Sequence, residues 1–99
     1  MYVIIWEYQV KPEKRIEFEK IYSSNGQWTK LFKKEPGYLG TTFIRDTNDP
    51  HRYLTVDRWI SKEAYENFLH QREKEYKTLD AACEGLTEHE ALLEKWNSL

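Results

Sequence analysis

The chain predicts a single α+β domain in the order strand, helix, strand, strand, helix, strand, built on a four-stranded antiparallel sheet. Three observations carry that expectation. The segment from Pro36 to Trp59, PGYLGTTFIRDTNDPHRYLTVDRW, reads as two strands joined by a tight polar turn. The opening YVIIWEYQV is apolar on both faces of an extended chain, and two long segments carry apolar residues at helical spacing.

Tyr2 to Val10 forms the first strand, with Ile4, Trp6, Tyr8 and Val10 on one face and Val3, Ile5, Glu7 and Gln9 on the other. A strand apolar on both sides is a strand covered on both sides. Lys11-Pro12-Glu13 then opens a helix with proline and an acid in its first turn. Phe18, Ile21, Tyr22, Trp28, Leu31 and Phe32 return at helical spacing across an interruption at Ser24-Asn25-Gly26, which gives one broken helix or two short ones.

Pro36-Gly37 ends that region, since proline cannot continue a helix and glycine accepts a left-handed backbone. The second strand begins near Tyr38 and runs to Arg45 through Thr41, Thr42, Phe43 and Ile44, all of which suit a pleated backbone. Thr47-Asn48-Asp49-Pro50 supplies the turn. Tyr53 to Val56 resumes the strand, which ends at Ile60-Ser61, where Ser61 caps the following helix. That helix, from about Lys62 to Glu84, carries Tyr65, Phe68, Leu69, Tyr76, Leu79 and Cys83 on one stripe and ends near Gly85. The tail, LTEHEALLEKW, has helical composition but alternates as a mixed strand, and strand is the expectation that completes the sheet.

This order is the split βαβ arrangement of ferredoxin-like domains. Two helices cover one face of such a sheet, so the second apolar face of the first strand needs another cover. In a chain this short, that cover is a second copy, giving a sheet-to-sheet homodimer.

Composition narrows the function. At 99 residues the chain is one domain, residues 1–99, burying roughly 60 to 70% of the surface its unfolded form exposes. A net charge of −2 with interspersed acids and bases provides no basic field for nucleic acid and no basic helix face for a membrane. The opening segment has no basic n-region and is too short to span a bilayer, and Cys83 is the single cysteine, which together point to the cytoplasm.

The segments VIIWEYQVKPEKRIEFEKIY, GQWTKLFKKEPGYLGTTFIRDTNDPHRYLTVDRWISKEAYENF and LDAACEGLT resemble the antibiotic biosynthesis monooxygenase family. Trp6-Glu7-Tyr8, Pro36-Gly37-Tyr38 and Asp57-Arg58-Trp59 fall where that family's strands and turn require them. The resemblance implies a dimeric α+β barrel of ferredoxin-like subunits, and oxidation of phenolic aromatics by molecular oxygen with no metal, flavin or other cofactor. A second branch of the superfamily degrades haem, using an asparagine on the first strand and a tryptophan and a histidine on the second helix. Here those positions align with Trp6, Phe68 and a site near Thr78, and threonine does not ligate haem iron as imidazole does.

Chemistry of the first kind requires a dry aromatic pocket, help with proton removal and shelter from water. If the Trp6 face looks towards the helices, then Trp6, Tyr8, Tyr22, Trp28, Phe32, Tyr65 and Phe68 line such a pocket, with Asn25, Arg58 and His70 as polar candidates. The competing reading makes these aromatics simple core, since each ring buries a large area. His70 is a base candidate or a solvated residue at the edge of the apolar sector, and Glu66, His70 and Glu73 occupy adjacent turns as a metal set on which nothing else converges. His51 and His89 read as surface residues. Asp57 and Arg58, ionisable in an otherwise apolar strand, need partners; pairing with Glu7 or Arg45 is one reading, and Arg58 against a bound phenolate is the other. Two functions follow: a cofactor-free oxygenase, or a non-catalytic homodimer that binds a small aromatic metabolite. An ionisable group facing the cavity would favour the first.

Overall fold

The computed structural model describes residues 1–99 and contains four strands: β1 (Tyr2–Val10), β2 (Tyr38–Arg45), β3 (Arg52–Trp59) and β4 (Thr87–Asn97). They form one antiparallel sheet in the order β2-β3-β1-β4, the ferredoxin-like arrangement. Between β1 and β2 lie a 3-10 turn (Pro12–Lys14), α1 (Arg15–Tyr22) and α2 (Gln27–Phe32). Between β3 and β4 lie α3 (Lys62–Gln71), α4 (Glu73–Cys83) and a second 3-10 turn (Glu84–Leu86). The tail is therefore a strand, and the first helical segment is two short helices.

Local chemistry sets most boundaries. The Ser61 hydroxyl accepts the Ala64 N–H at 3.0 Å and starts α3. In the β2–β3 turn, Asp46 accepts the Asn48 N–H at 2.8 Å and Asp49 accepts the His51 N–H at 3.0 Å, both Asx-type closures. Gly26 precedes α2 because its α-carbon passes against the Ile21 carbonyl, which an added Cβ would meet at 2.1 Å.

Two expectations need correction. Gly37 does not adopt a left-handed backbone; the only residue with positive φ is Gly40, at +137°. Nor is the second helix continuous. It breaks at Arg72, where no proline or glycine stands, and the Arg72 guanidinium there donates to Glu35 just past α2 at 3.0 Å and to Glu75 at 3.3 Å. The bend keeps Phe68 and Tyr76 both turned towards the sheet, their ring centroids 6.2 Å apart.

The core is the layer between the helices and one sheet face. Along β3 the burial alternates strictly, with Tyr53, Thr55, Asp57 and Trp59 inward. Tyr2, Ile4, Tyr8 and Val10 point the same way from β1, confirming the parity read from the sequence. By register the opposite face carries Val3 and Ile5 of β1, Leu54 and Val56 of β3, Ile44 of β2 and Trp96 of β4. No helix of the protein is long and apolar enough to cross a membrane.

Candidate active site

Under α2, α3 and α4 the helix-facing side of the sheet opens into a cavity that water-sized molecules can occupy over about 60 Å³. At about 10–15 Å³ for each water, this is room for roughly four to six waters, near the liquid volume of one aromatic ring. Every major element contributes to its lining: Trp6 and Tyr8 from β1, Tyr22 from α1, Trp28, Thr29 and Phe32 from α2, Thr41 from β2, Thr55 and Asp57 from β3, Tyr65 from α3, Tyr76 and Asp80 from α4, and Glu90 from β4. Five of the lining rings form a connected row, Tyr8 against Tyr22 at 5.1 Å, Tyr22 against Trp28 at 6.1 Å, and Trp28 against Tyr76 edge-on at 5.2 Å and against Phe32 at 5.9 Å.

Asp57 is the chemical centre of this lining. It is 7% exposed, and its carboxylate has one hydrogen bond, from the Thr41 hydroxyl to Oδ1 at 2.7 Å. Its other oxygen accepts no hydrogen bond from the protein, and the residue lines the cavity. Burial pushes the carboxyl up to about 6, against weaker lowering by the Thr41 hydrogen bond and the charge of Arg58. Thr41 in turn lies 2.5 Å from the Tyr38 hydroxyl. Because Thr41 gives its single proton to Asp57, Tyr38 is the donor of that contact.

A bulge makes this relay. Residues 38 and 41 of a regular strand point to opposite faces. The register of β2 against β3 shifts between Tyr38 and Gly40, where Gly40 takes a backbone angle that only glycine adopts without strain. The shift brings Tyr38 and Thr41 to the same side.

The phenols in the wall are held neutral. Burial raises Tyr8, Tyr22 and Tyr65 well above the usual tyrosine range and pushes Tyr76 up to about 12. Tyr8 also shares a hydrogen bond with Thr55 at 3.0 Å. At the mouth, Asp80 and Glu90 are exposed, and the Glu90 carboxyl is raised by partial burial and then by the charge of Asp80.

Of the residues singled out from the sequence, Trp6, Tyr8, Tyr22, Trp28, Phe32 and Tyr65 converge on the cavity. Phe68 does not. It is fully buried beneath the wall, 5.1 Å from both Trp59 and Phe32, as packing. The three polar candidates fall outside as well. His70 is exposed on the outer face of α3, in a shallow groove with Gln71, Glu73, Lys74 and Lys77, one position past the inward stripe. Asn25 is exposed in the α1–α2 turn. Arg58 projects from the opposite sheet face, where it donates to Thr42 Oγ1 at 2.9 Å. Glu66, His70 and Glu73 do not assemble into a metal-holding group.

Within the chain, Asp57 and Arg58 do not pair with Glu7 or Arg45 across the sheet. Glu7 is bound by Arg52, and Arg45 by Glu19. Thr29, Thr41, Thr55, Asp57, Tyr76, Asp80 and Glu90 line the cavity without having been singled out from the sequence as candidates. Asp57 had a usable signal, because it shares strand parity with Tyr53 and Trp59, the two largest residues of the inward row.

Solved structures similar to this chain share its architecture. A cofactor-independent oxygenase from Streptomyces nogalater, SnoaB, superposes with a TM-score of 0.75 at 18% identity, covering 99% of this chain and 95% of that one. A protein from Pseudomonas aeruginosa gives 0.71 at 16% identity, covering 99% and 93%. A conserved protein from Methanosarcina mazei Go1 gives 0.69 at 18%, covering 99% and 92%. No curated protein matches the sequence. At these identities the structural likeness establishes the fold. The family model for antibiotic biosynthesis monooxygenase matches residues 1–79, from β1 into α4, and so takes in the segments that supply the cavity floor and most of its aromatic wall. By that match over most of its length, the chain belongs to the antibiotic biosynthesis monooxygenase family.

Proposed function

We propose that the protein is a cofactor-independent monooxygenase that oxidises a small, flat phenolic or quinol-type aromatic with molecular oxygen. The observation that carries this reading is the unpaired carboxylate oxygen of Asp57, the most deeply buried acid among the residues that line this ring-rich cavity. A lining of rings alone would favour simple binding. A buried acid in the lining with its carboxyl near neutrality favours chemistry.

Trp6, Tyr8, Tyr22, Trp28, Phe32 and Tyr65 hold the ring, and Asp57 accepts the hydroxyl proton. The resulting phenolate passes one electron to oxygen, and the radical pair recombines to a peroxide at an unsubstituted ring carbon ortho or para to the oxygen. Loss of water across the O–O bond leaves a quinone, so that one phenol and one oxygen molecule give one quinone and one water. The aromatic wall excludes bulk water from the radical pair. Thr41 and Tyr38 fix the carboxylate and contribute a hydroxyl chain along which its proton is returned.

The test is oxygen uptake by metal-stripped protein with phenols, naphthols and quinols, against the uncatalysed oxidation. Saturable uptake that survives chelation, falls about 10²-fold or more in Asp57→Asn and is weakened in Trp6→Ala is expected. Tight binding without uptake would replace the oxygenase with the aromatic-binding reading.

We further propose that the working form is a homodimer joined through the open sheet face, which presents Ile44 at 46% and Trp96 at 57% exposure beside Val3, Ile5 and Val56. Ile5→Glu should give monomer or aggregate in sedimentation; a soluble dimer of unchanged mass would remove that face from consideration.

A further inference from the structure

The cavity holds three carboxylates and no cation. Asp57 lies at its floor and Asp80 and Glu90 at its mouth, and no lysine, arginine or histidine lines it. The same acidic rim continues outward past Glu84 and Thr87. Acidic clusters on a surface are ordinary, but this one leads into a wall of rings and ends at a nine-tenths-buried carboxylate with one oxygen unpartnered. Ring faces attract organic cations, and acids repel a ligand of their own sign. An anionic aromatic would meet like charge at both ends of this cavity. A neutral phenol would satisfy the floor alone and leave Asp80 and Glu90 facing each other.

Resting on the assignment of this cavity as the substrate site, we infer that its ligand is a one-ring phenol bearing a protonated amine on a short side chain. The hydroxyl addresses Asp57, the ring lies along Trp28 and Tyr76, and the ammonium sits between Asp80 and Glu90, near the faces of Tyr22 and Tyr76. The Glu90 carboxyl, raised partly by the charge of Asp80, is relieved by such a cation. The volume agrees with this class, since one ring displaces the waters the cavity can hold.

Three probes of nearly equal shape test the inference: tyramine, 4-ethylphenol and 3-(4-hydroxyphenyl)propanoate, titrated calorimetrically into the whole chain at pH 7.5 and low salt. Tyramine should bind about tenfold more tightly than 4-ethylphenol, as expected for one ion pair with cation–π support, and the carboxylate should bind weakest. The advantage of tyramine should vanish in Asp80→Asn/Glu90→Gln, where tyramine and 4-ethylphenol should bind alike, and an unchanged circular dichroism spectrum shows the variant to be folded. Equal binding of tyramine and 4-ethylphenol, or an amine preference that survives the double substitution, would overturn the inference and leave the aromatic site standing. Failure of all three probes would remove the site itself.

Discussion

Glu19 and Asp57 are two carboxylates on the same side of one sheet, and they have opposite surroundings. Glu19 accepts the Tyr53 hydroxyl and faces Arg15 at 3.3 Å and Arg45 at 3.4 Å. These contacts, led by the Tyr53 hydrogen bond, hold it below the usual range. Asp57, four residues along β3 from Tyr53, has a single hydroxyl partner and a raised carboxyl. The rings differ in the same way. Around Tyr53 the rings stack on one another, Phe18 on Tyr22 at 4.1 Å and Phe43 on Tyr53 at 5.4 Å. Around Asp57 the rings line a void. One end of the molecule is built for stability, while the other keeps an unfavourable group where a ligand can reach it.

The largest test of this contrast is Phe18→Ala. Phe18 is fully buried among Tyr8, Tyr22, Phe43 and Tyr53, so its truncation should cost about 3–5 kcal/mol in urea unfolding. A loss below about 1 kcal/mol would show that the closed end is not tightly packed.

Asp57→Asn should act in the other direction on stability. The folded carboxyl titrates at about 6 against an ordinary 3.8, so the folded state binds the extra proton between those values and stability falls as pH rises through that window. An amide at this position keeps an acceptor for Thr41 and removes the buried charge. The variant should be more stable than the parent by about 2–3 kcal/mol at pH 7.5, with no advantage at pH 3.5, while oxygen uptake is lost. The same titration governs catalysis: kcat/KM should rise with pH through about 6. Thr41→Val, which removes the hydrogen bond that lowers this carboxyl, should move the rise to higher pH. A pH profile flat from 5 to 8 would remove Asp57 from the base role.

Glu19→Gln gives the smallest effect. Its side chain is 39% exposed, so solvent screening limits the loss to below about 1 kcal/mol at neutral pH. Because the Glu19 carboxyl is lowered in the folded state, the difference from the parent should shrink as pH falls through the carboxylate range, and oxygen uptake should not change.

Much of this was legible in the chain. Strand alternation, Ser61 as a cap and the acidic turn at Thr47-Asn48-Asp49-Pro50 depend on near neighbours, and they fix β1 to β3 and the start of α3. Parity on β1 also gave the helix-facing row that brings Trp6 and Tyr8 to the cavity. His70, Asn25 and Arg58 were chosen for chemical type, whereas the site selects by face and depth. The break at Arg72 was hidden because no proline or glycine marks it, and the Arg72 contact with Glu35 joins residues 37 positions apart in the chain. Glu90 reached the cavity only through the pairing of β4 with β1, Glu90 opposite Tyr8.

What the sequence determined by itself is the element order, the ferredoxin-like class and an aromatic inner face, since periodicity and capping are properties of neighbouring residues. What only the tertiary structure decided is where that face fails to close. A cavity is a mismatch among side chains from eight elements, and the Gly40 bulge that turns Tyr38 and Thr41 towards Asp57 is a feature of strand pairing, invisible until β2 lies against β3.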